Sequence, residues 1–256
     1  MNLAKHERSR TFSFQCALLF LSCLLQAQQK CPAEIKLLLS PPTIQTVLAS
    51  LGFEKQTASR VYFFDTDALD LLKQGVIVRV RQGADNDITV KERVPEDNKD
   101  NKAGTSQLHE HFPCEIDLTG AGENTSYAIR QKYKSLRVPE MGKEIFSLLS
   151  PSQQKLLRDA RVSIDWDRVK RIANIESTKW ETTTQPPFRK LALELWEWSA
   201  GNILEVSTKV GSDTGQTTYA ELQRLVRMKS LLLSPSQGTK TRIVLETLTD
   251  HTSTPR

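Results

Sequence analysis

VYFFDTDALDLLKQGVIVRVRQGADNDITVKER, residues Val61–Arg93, sets four basic side chains on one face of two successive strands. Neighbouring residues of a strand point to opposite faces, so in VIVRVRQ the residues Ile77, Arg79 and Arg81 share one side and Val76, Val78 and Val80 the other. In DITVKER, Thr89, Lys91 and Arg93 oppose Ile88 and Val90 in the same way. Lying side by side, the two strands display Arg79, Arg81, Lys91 and Arg93 together, over a face that must be buried. That arrangement is an anion site.

The same alternation recurs on either side of this stretch. Cys31–Leu39, Arg60–Asp65, Phe112–Leu118, Val162 through Val169 to Ile175, Leu191–Trp198, Ile203–Val210 and Lys240–Leu245 are expected as strands. Ser40-Pro41-Pro42 opens a helix whose Ile44, Val47, Leu48 and Leu51 recur at helical spacing until Gly52. Asp67–Lys73 is expected as a turn or one short helix, Tyr127–Ala160 as two helices with the second starting at Ser150-Pro151, and Thr218–Arg227 as another. Pro95–Gln107 carries almost no hydrophobes and is expected as a flexible loop. The fold class is α+β: an antiparallel sheet, apolar on one face and charged on the other, with few helices. If it closes with the charged face inward, it becomes a barrel with a charged lumen; if it stays open, the charges are a solvated surface.

Grouped by face, the charged positions are Glu34 and Lys36, Arg79 and Arg81, Lys91 and Arg93, Glu115 and Asp117, Arg171 or Lys170, Glu194, Glu205 and Lys209, and Lys240 and Arg242. Both signs are represented. Polyphosphate chemistry calls for that mixture, with cations on the phosphoryl oxygens and carboxylates on a bridging divalent metal.

The 256 residues carry a formal charge of +5, 38% hydrophobic and 25% charged residues, which suits one large globular domain or two small ones. An excess this small, shared with 30 acids, does not call for a nucleic-acid reader. Lys5, Arg8 and Arg10 precede an apolar run from Phe14 to Leu25, followed by Gln26-Ala27-Gln28-Gln29, so residues 1–27 are expected as a signal peptide cleaved after Ala27. Lipidation at Cys23, an uncleaved anchor and a misplaced start are the alternatives. Cleavage leaves a secreted or periplasmic chain with no membrane span and with Cys31 and Cys114, either as a disulfide or as two free thiols. Asn124-Thr125-Ser126 matches a glycosylation sequon, and residues 249–256 are expected to fray.

YFFDTDALDLLKQGVIVRVRQG followed by DITVKER resembles the YFDT-x-x-x-x-L-x-x-x-G-x-x-L-R-x-R stretch and the T-x-K strand of CYTH domains, the triphosphate tunnel metalloenzyme superfamily. The resemblance starts at Glu34 and continues more loosely through CEID, LALELWEW, ILEVSTKV and TKTRIVLE, giving a tunnel domain over 31–248. It implies an eight-stranded antiparallel barrel with helices outside, enclosing a triphosphate or polyphosphate, with Mg2+ or Mn2+ on carboxylates. By position it gives Lys36, Arg79, Arg81 and Lys91, and less closely Arg171 and Lys240, to phosphate. It gives Glu34, Glu194 and Glu205 to metal. Two carboxylates of the pattern are missing, since the first glutamate of E-x-E-x-K falls on Pro32 and the second of the late E-x-E falls on Ser207.

Three functions are compatible with this chain. One is a metal-dependent hydrolase of triphosphates or polyphosphate. Another is a polyanion binder that has lost part of the metal site. The last is a structural barrel whose charges are internal pairs, with Trp166, Trp180, Trp196 and Trp198 as core or partner-facing aromatics.

Overall fold

The computed structural model describes residues 30–40, 44–94, 111–182 and 186–252. The expected signal peptide and the whole of the Pro95–Gln107 loop lie outside them. The strands are β1 (Ala33–Leu39), β2 (Lys55–Asp65), β3 (Val76–Gly83), β4 (Asp87–Val94), β5 (Cys114–Thr119), β6 (Gly122–Lys132), β7 (Lys170–Glu181), β8 (Ala192–Trp198) and β9 (Gly201–Val210). They close in the order β1-β5-β6-β4-β3-β2-β7-β8-β9 and back to β1. Eight antiparallel strands were expected; nine are present among the described residues, and the β1–β5 pair is parallel. The extra strand is β6, which overlaps the start of the stretch expected as helix, and it pairs with both β4 and β5.

The apolar side of each strand faces out, where helices cover it. Val76, Val78, Val80, Ile88 and Val90 pack with Ile145, Leu149, Leu156 and Leu157 of two helices, α3 (Gly142–Leu148) and α4 (Pro151–Asp159), or just after the former. Ser150 caps α4 in a reciprocal box with Gln153. The buried Gln153 amide then donates to the carbonyls of Ile88 and Ile129, pinning the helix to β4 and β6. On the other side, Ile35, Leu37, Leu193 and Val206 pack with α1 (Ile44–Leu51) and α5 (Gly215–Met228).

Asp65, of the FFDT sequence, has a structural task. Its carboxylate accepts from the backbone N–H groups of Thr66, Leu71 and Leu72, holding the one-turn α2 (Asp70–Lys73) against the strand end. Gly75, at φ +77°, then turns the chain into β3, and a β-carbon there would meet the Arg93 carbonyl at 2.6 Å.

Two further expectations are corrected. Residues 162–169 are irregular, with a turn at 166–168, and the strand begins only at Lys170. Lys240–Leu245 is the start of α6 (Lys240–Thr252), not a strand, and this helix runs beyond residue 248. The buried positions Thr241, Val244 and Leu245, with Leu248 half-buried, follow helical spacing. With Phe63, Ile175, Trp196 and Ile203 they make an apolar cluster that includes inward positions of the barrel, so α6 stoppers one end.

Cys31 and Cys114 are bonded, with Cα atoms 5.1 Å apart and a separation of 83 in sequence. A link closing so long a loop removes unfolded-state entropy worth about 4 kcal/mol in the chain-entropy account. Reduction should therefore lower the urea midpoint markedly, which parallel unfolding curves with and without dithiothreitol will show.

Candidate functional site

Residues directly opposite in an antiparallel ladder share a face, so the register identifies the lumen. Arg81 lies opposite Asp87, Arg79 opposite Thr89, and Thr89 opposite Arg130. Glu194 lies opposite Glu205, and Lys36 opposite Ser207. Across the parallel pair Glu34 stands beside Asp117. The charged face is therefore the inner one.

Around β1, β4 and β5 the charges form a tight network. Asp117, with no exposed side-chain surface, accepts from Lys36 at 2.5 Å and from Lys91 at 2.7 Å, and Arg93 approaches it at 4.0 Å. Lys36 also meets Glu34 at 2.7 Å, and Lys209 bonds Glu115. Burial works against each carboxylate, yet Lys36 and Lys209 hold Glu34 down to about 2, and Lys36 and Lys91 hold Asp117 well below the ordinary range. Glu115 differs: burial and the neighbouring Glu34 push it up. Oxygens of Glu34, Glu115 and Asp117 all lie within 4.8 Å of one another.

Nearer the stopper, Lys240 reaches from the first turn of α6 to both Glu194 and Glu205. Its ammonium also lies 4.6 Å from the centre of the Trp196 ring, whose indole N–H donates to Glu194 at 2.9 Å. Glu194 further accepts from Ser177 at 2.7 Å and from Arg81 at 3.4 Å. Burial opposes ionisation of Glu194, but Lys240 and Arg81 keep it far below the ordinary range.

Arg79 is the exception. Its side chain donates to the Thr89 hydroxyl at 3.3 Å, and among the described residues no carboxylate lies within ion-pair distance. Thr89 is in turn fixed by Asp87, which also takes two contacts from Arg130, at 2.8 and 2.7 Å. The Nε–H groups of Arg79, Arg81 and Arg93 are buried without a partner. Burial and Arg81 push Arg79 down to about 10, and burial and Lys36 push Lys91 down. The lumen therefore holds cationic donors that its own acids do not satisfy.

The structure brings together Lys36, Arg79, Arg81, Lys91 and Lys240 on the inner face, but Arg171 is elsewhere. A register shift between Phe63 and Phe64 puts Arg171 opposite Phe64, where it pairs with Glu140 at 2.7 Å and lies over the Tyr62 ring. The expected metal set is also divided: Glu34 groups with Glu115 and Asp117, while Glu194 and Glu205 are a second cluster bonded to Lys240. Asn124 shares the inner face with Asp117, a poor place for a glycan. Sequence reasoning missed Arg130 and Asp87; Asp87 shares the parity of Thr89 and Lys91, whereas Arg130 stood in the stretch expected as helix.

No protein-family profile matches the chain, and no curated protein matches it by sequence. Solved structures do. HpAC1 of Hippeastrum, assigned as an adenylyl cyclase and described as having a dominant triphosphatase activity, superposes with a TM-score of 0.56 at 16% identity, over 82% of this chain and 93% of that one. An assigned adenylate cyclase of Bacillus halodurans, bh2851, gives 0.55 at 17% identity, over 83% and 97%. With its closed barrel and inward charges, the chain has a CYTH-like fold.

Proposed function

We propose that the barrel binds a triphosphate or polyphosphate, held by Arg79, Arg81, Arg93, Lys91 and Lys36. The observation that carries this is Arg79, a half-buried residue whose guanidinium has a hydroxyl for a partner and whose buried Nε–H is bonded to nothing. An unpaired buried charge costs stability unless a ligand satisfies it. A chain of phosphoryl groups presents many acceptor oxygens together, and guanidinium forks fit them. The likeness to HpAC1, described as having triphosphatase activity, points the same way.

Hydrolysis is the second step of the proposal. Glu34, Glu115 and Asp117 converge closely enough to share one divalent cation, and Glu115, pushed up by burial and Glu34, gains most from a counter-charge. Mg2+ or Mn2+ held there would neutralise phosphoryl charge and polarise a water. Lys36 and Lys91, now on Asp117, would turn to the phosphates as the metal takes over the carboxylates. Glu194 and Glu205 do not fit a metal equally well, because Lys240 fills the place between them. A metal-free binder is the competing possibility, favoured by Pro32 and Ser207 at the missing carboxylate positions. We also place the mature chain in an oxidising, secreted or periplasmic compartment; the disulfide and the apolar run from Phe14 to Leu25 support this. No described helix is long and apolar enough to cross a membrane.

Arg79→Met separates a ligand site from a structural one. The variant should bind tripolyphosphate at least about tenfold more weakly, the value of one charge-assisted hydrogen bond. Without ligand it should be as stable as the parent or more so by about 1 kcal/mol, because a buried unpaired charge has gone. Calorimetry and thermal unfolding together decide it, and a clear loss of stability with unchanged affinity would count against the proposal.

Binding should take up protons in alkaline solution. The ligand-free tunnel depresses Arg79 to about 10 and lowers Lys91 as well, and a bound polyanion raises both. Between its depressed and raised values the Arg79 guanidinium recharges, so uptake appears at about pH 10 and above and fades as the pH falls below that, where the free tunnel already holds this proton. Calorimetry in buffers of different ionisation enthalpy measures it.

Lys240→Ala tests the division of the carboxylates. Removing the ammonium leaves Glu194 facing Glu205, which should cost about 3 kcal/mol. It also opens a cation site, so manganese titration should count one ion more than in the parent. Equal stoichiometry would mean that Lys240 does not exclude metal.

A further inference from the structure

The barrel closes at its weakest point through a covalent bond. Strands β2 and β7 pair from Lys55 to Asp65, and β1 pairs with β9 over its whole length. The parallel seam matches only Ala33–Ile35 with Ile116–Leu118, plus a hydrogen bond from the Ile116 N–H to the Pro32 carbonyl at 2.9 Å. Continued backward, that register puts Cys31 opposite Cys114, so the disulfide fastens the same ends of both strands. Three residues further along each strand stand Glu34 and Asp117, two carboxylates side by side. Like charges in adjacent strand positions push a pair apart. Here Lys36 bridges them, and the disulfide holds the strands while it does.

We propose that Cys31–Cys114 is a dithiol-reducible latch on the tunnel, whose opening releases β5 from β1 and disperses Glu34, Glu115, Asp117, Lys36 and Lys91. Both cysteines are half-buried, within reach of a small or protein dithiol. One thiolate of the reductant attacks a sulfur of the pair, giving a mixed disulfide, and its second thiol displaces the first cysteine. Two electrons and two protons pass to Cys31 and Cys114, and the reductant leaves as its own disulfide. The consequence for ligand rests on the polyanion reading above. Lys91 and Asp117 belong to strands on opposite sides of β6, so the tunnel wall keeps its shape only while β5 stays in place on β1.

The experiment compares oxidised protein, protein reduced with dithiothreitol, and the double variant Cys31→Ser/Cys114→Ser. Amide exchange is followed at Ala33–Ile35 and Ile116–Leu118 and, for reference, in β2 and β7. Opening the latch should accelerate the seam amides at least tenfold more than the reference amides, and tripolyphosphate affinity should fall at least tenfold. An equal acceleration everywhere, or none, overturns the latch, and so does a seam that opens without loss of affinity. If the oxidised protein fails to bind tripolyphosphate, the polyanion reading falls, while the exchange data still decide whether the seam is the part that the disulfide holds.

Discussion

Asp117 ties together three strands of the tunnel. From β5 it holds Lys36 of β1 and Lys91 of β4, while its backbone forms part of the parallel seam. A carboxylate with no exposed surface is tolerable only because two ammonium groups lie within hydrogen-bonding distance. The dependence is mutual, since Lys36, buried beside Glu34 and Asp117, is held charged well above its ordinary range. If either partner is lost, the other becomes an isolated buried ion. Barrel closure and the electrostatics of the lumen are thus one constraint, because β5 can lie against β1 only if the acids it brings meet the bases already there.

The lumen is graded along its axis. At the stopper end Phe63, Trp196, Ile203 and the buried face of α6 exclude water, which strengthens the Lys240 pairs with Glu194 and Glu205. Further along, Arg81 contributes to Glu194 while Arg79 leans on a hydroxyl. Around Asp117 the cations again have acids, but burial and neighbouring cations push Lys91 down. Positive charge is least compensated in the middle. Asp87 sharpens this: it fixes Thr89 and Arg130, keeping Arg79 in position without neutralising it.

The inward face of β3 and β4 was legible because alternation over eight residues has one solution once the valines must be covered. What stayed hidden depended on partners remote in sequence. Arg171 has the parity of a lumen residue if counted from Ala173 without interruption, and the extra residue Ile172, which falls between the partners of Phe63 and Phe64, displaces it. Lys240–Leu245 satisfies both period 2 and period 3.6 over six residues, and only the apolar mouth chooses helix. β6 has Ser126, Ala128 and Arg130 inward and so lacks the apolar rhythm that marks a strand; its identity comes from β4 and β5. The seam itself has no local signal, because a parallel contact of three residues follows from closure of the whole sheet.

That seam also bears on the two missing carboxylates. Pro32 cannot supply an acid, but its carbonyl accepts the Ile116 N–H and so starts the pairing that brings Asp117 beside Glu34. Ser207 lies opposite Lys36, where a carboxylate would compete with Glu34 and Asp117 for the same ammonium. The acids of the lumen stand on β1 and β5, as Glu34, Glu115 and Asp117, and on β8 and β9, as Glu194 and Glu205. Lys209, one turn of the pleat beyond Ser207, bonds Glu115 of the first group. A cation bound by this set would face Lys91 and Arg93 of β4 as closely as it faces β1, since Asp117 touches both sides. Phosphate held by β4 would then meet metal held by β5 within one sheet of adjacent strands, and the two lost glutamates would not be needed for the two to meet.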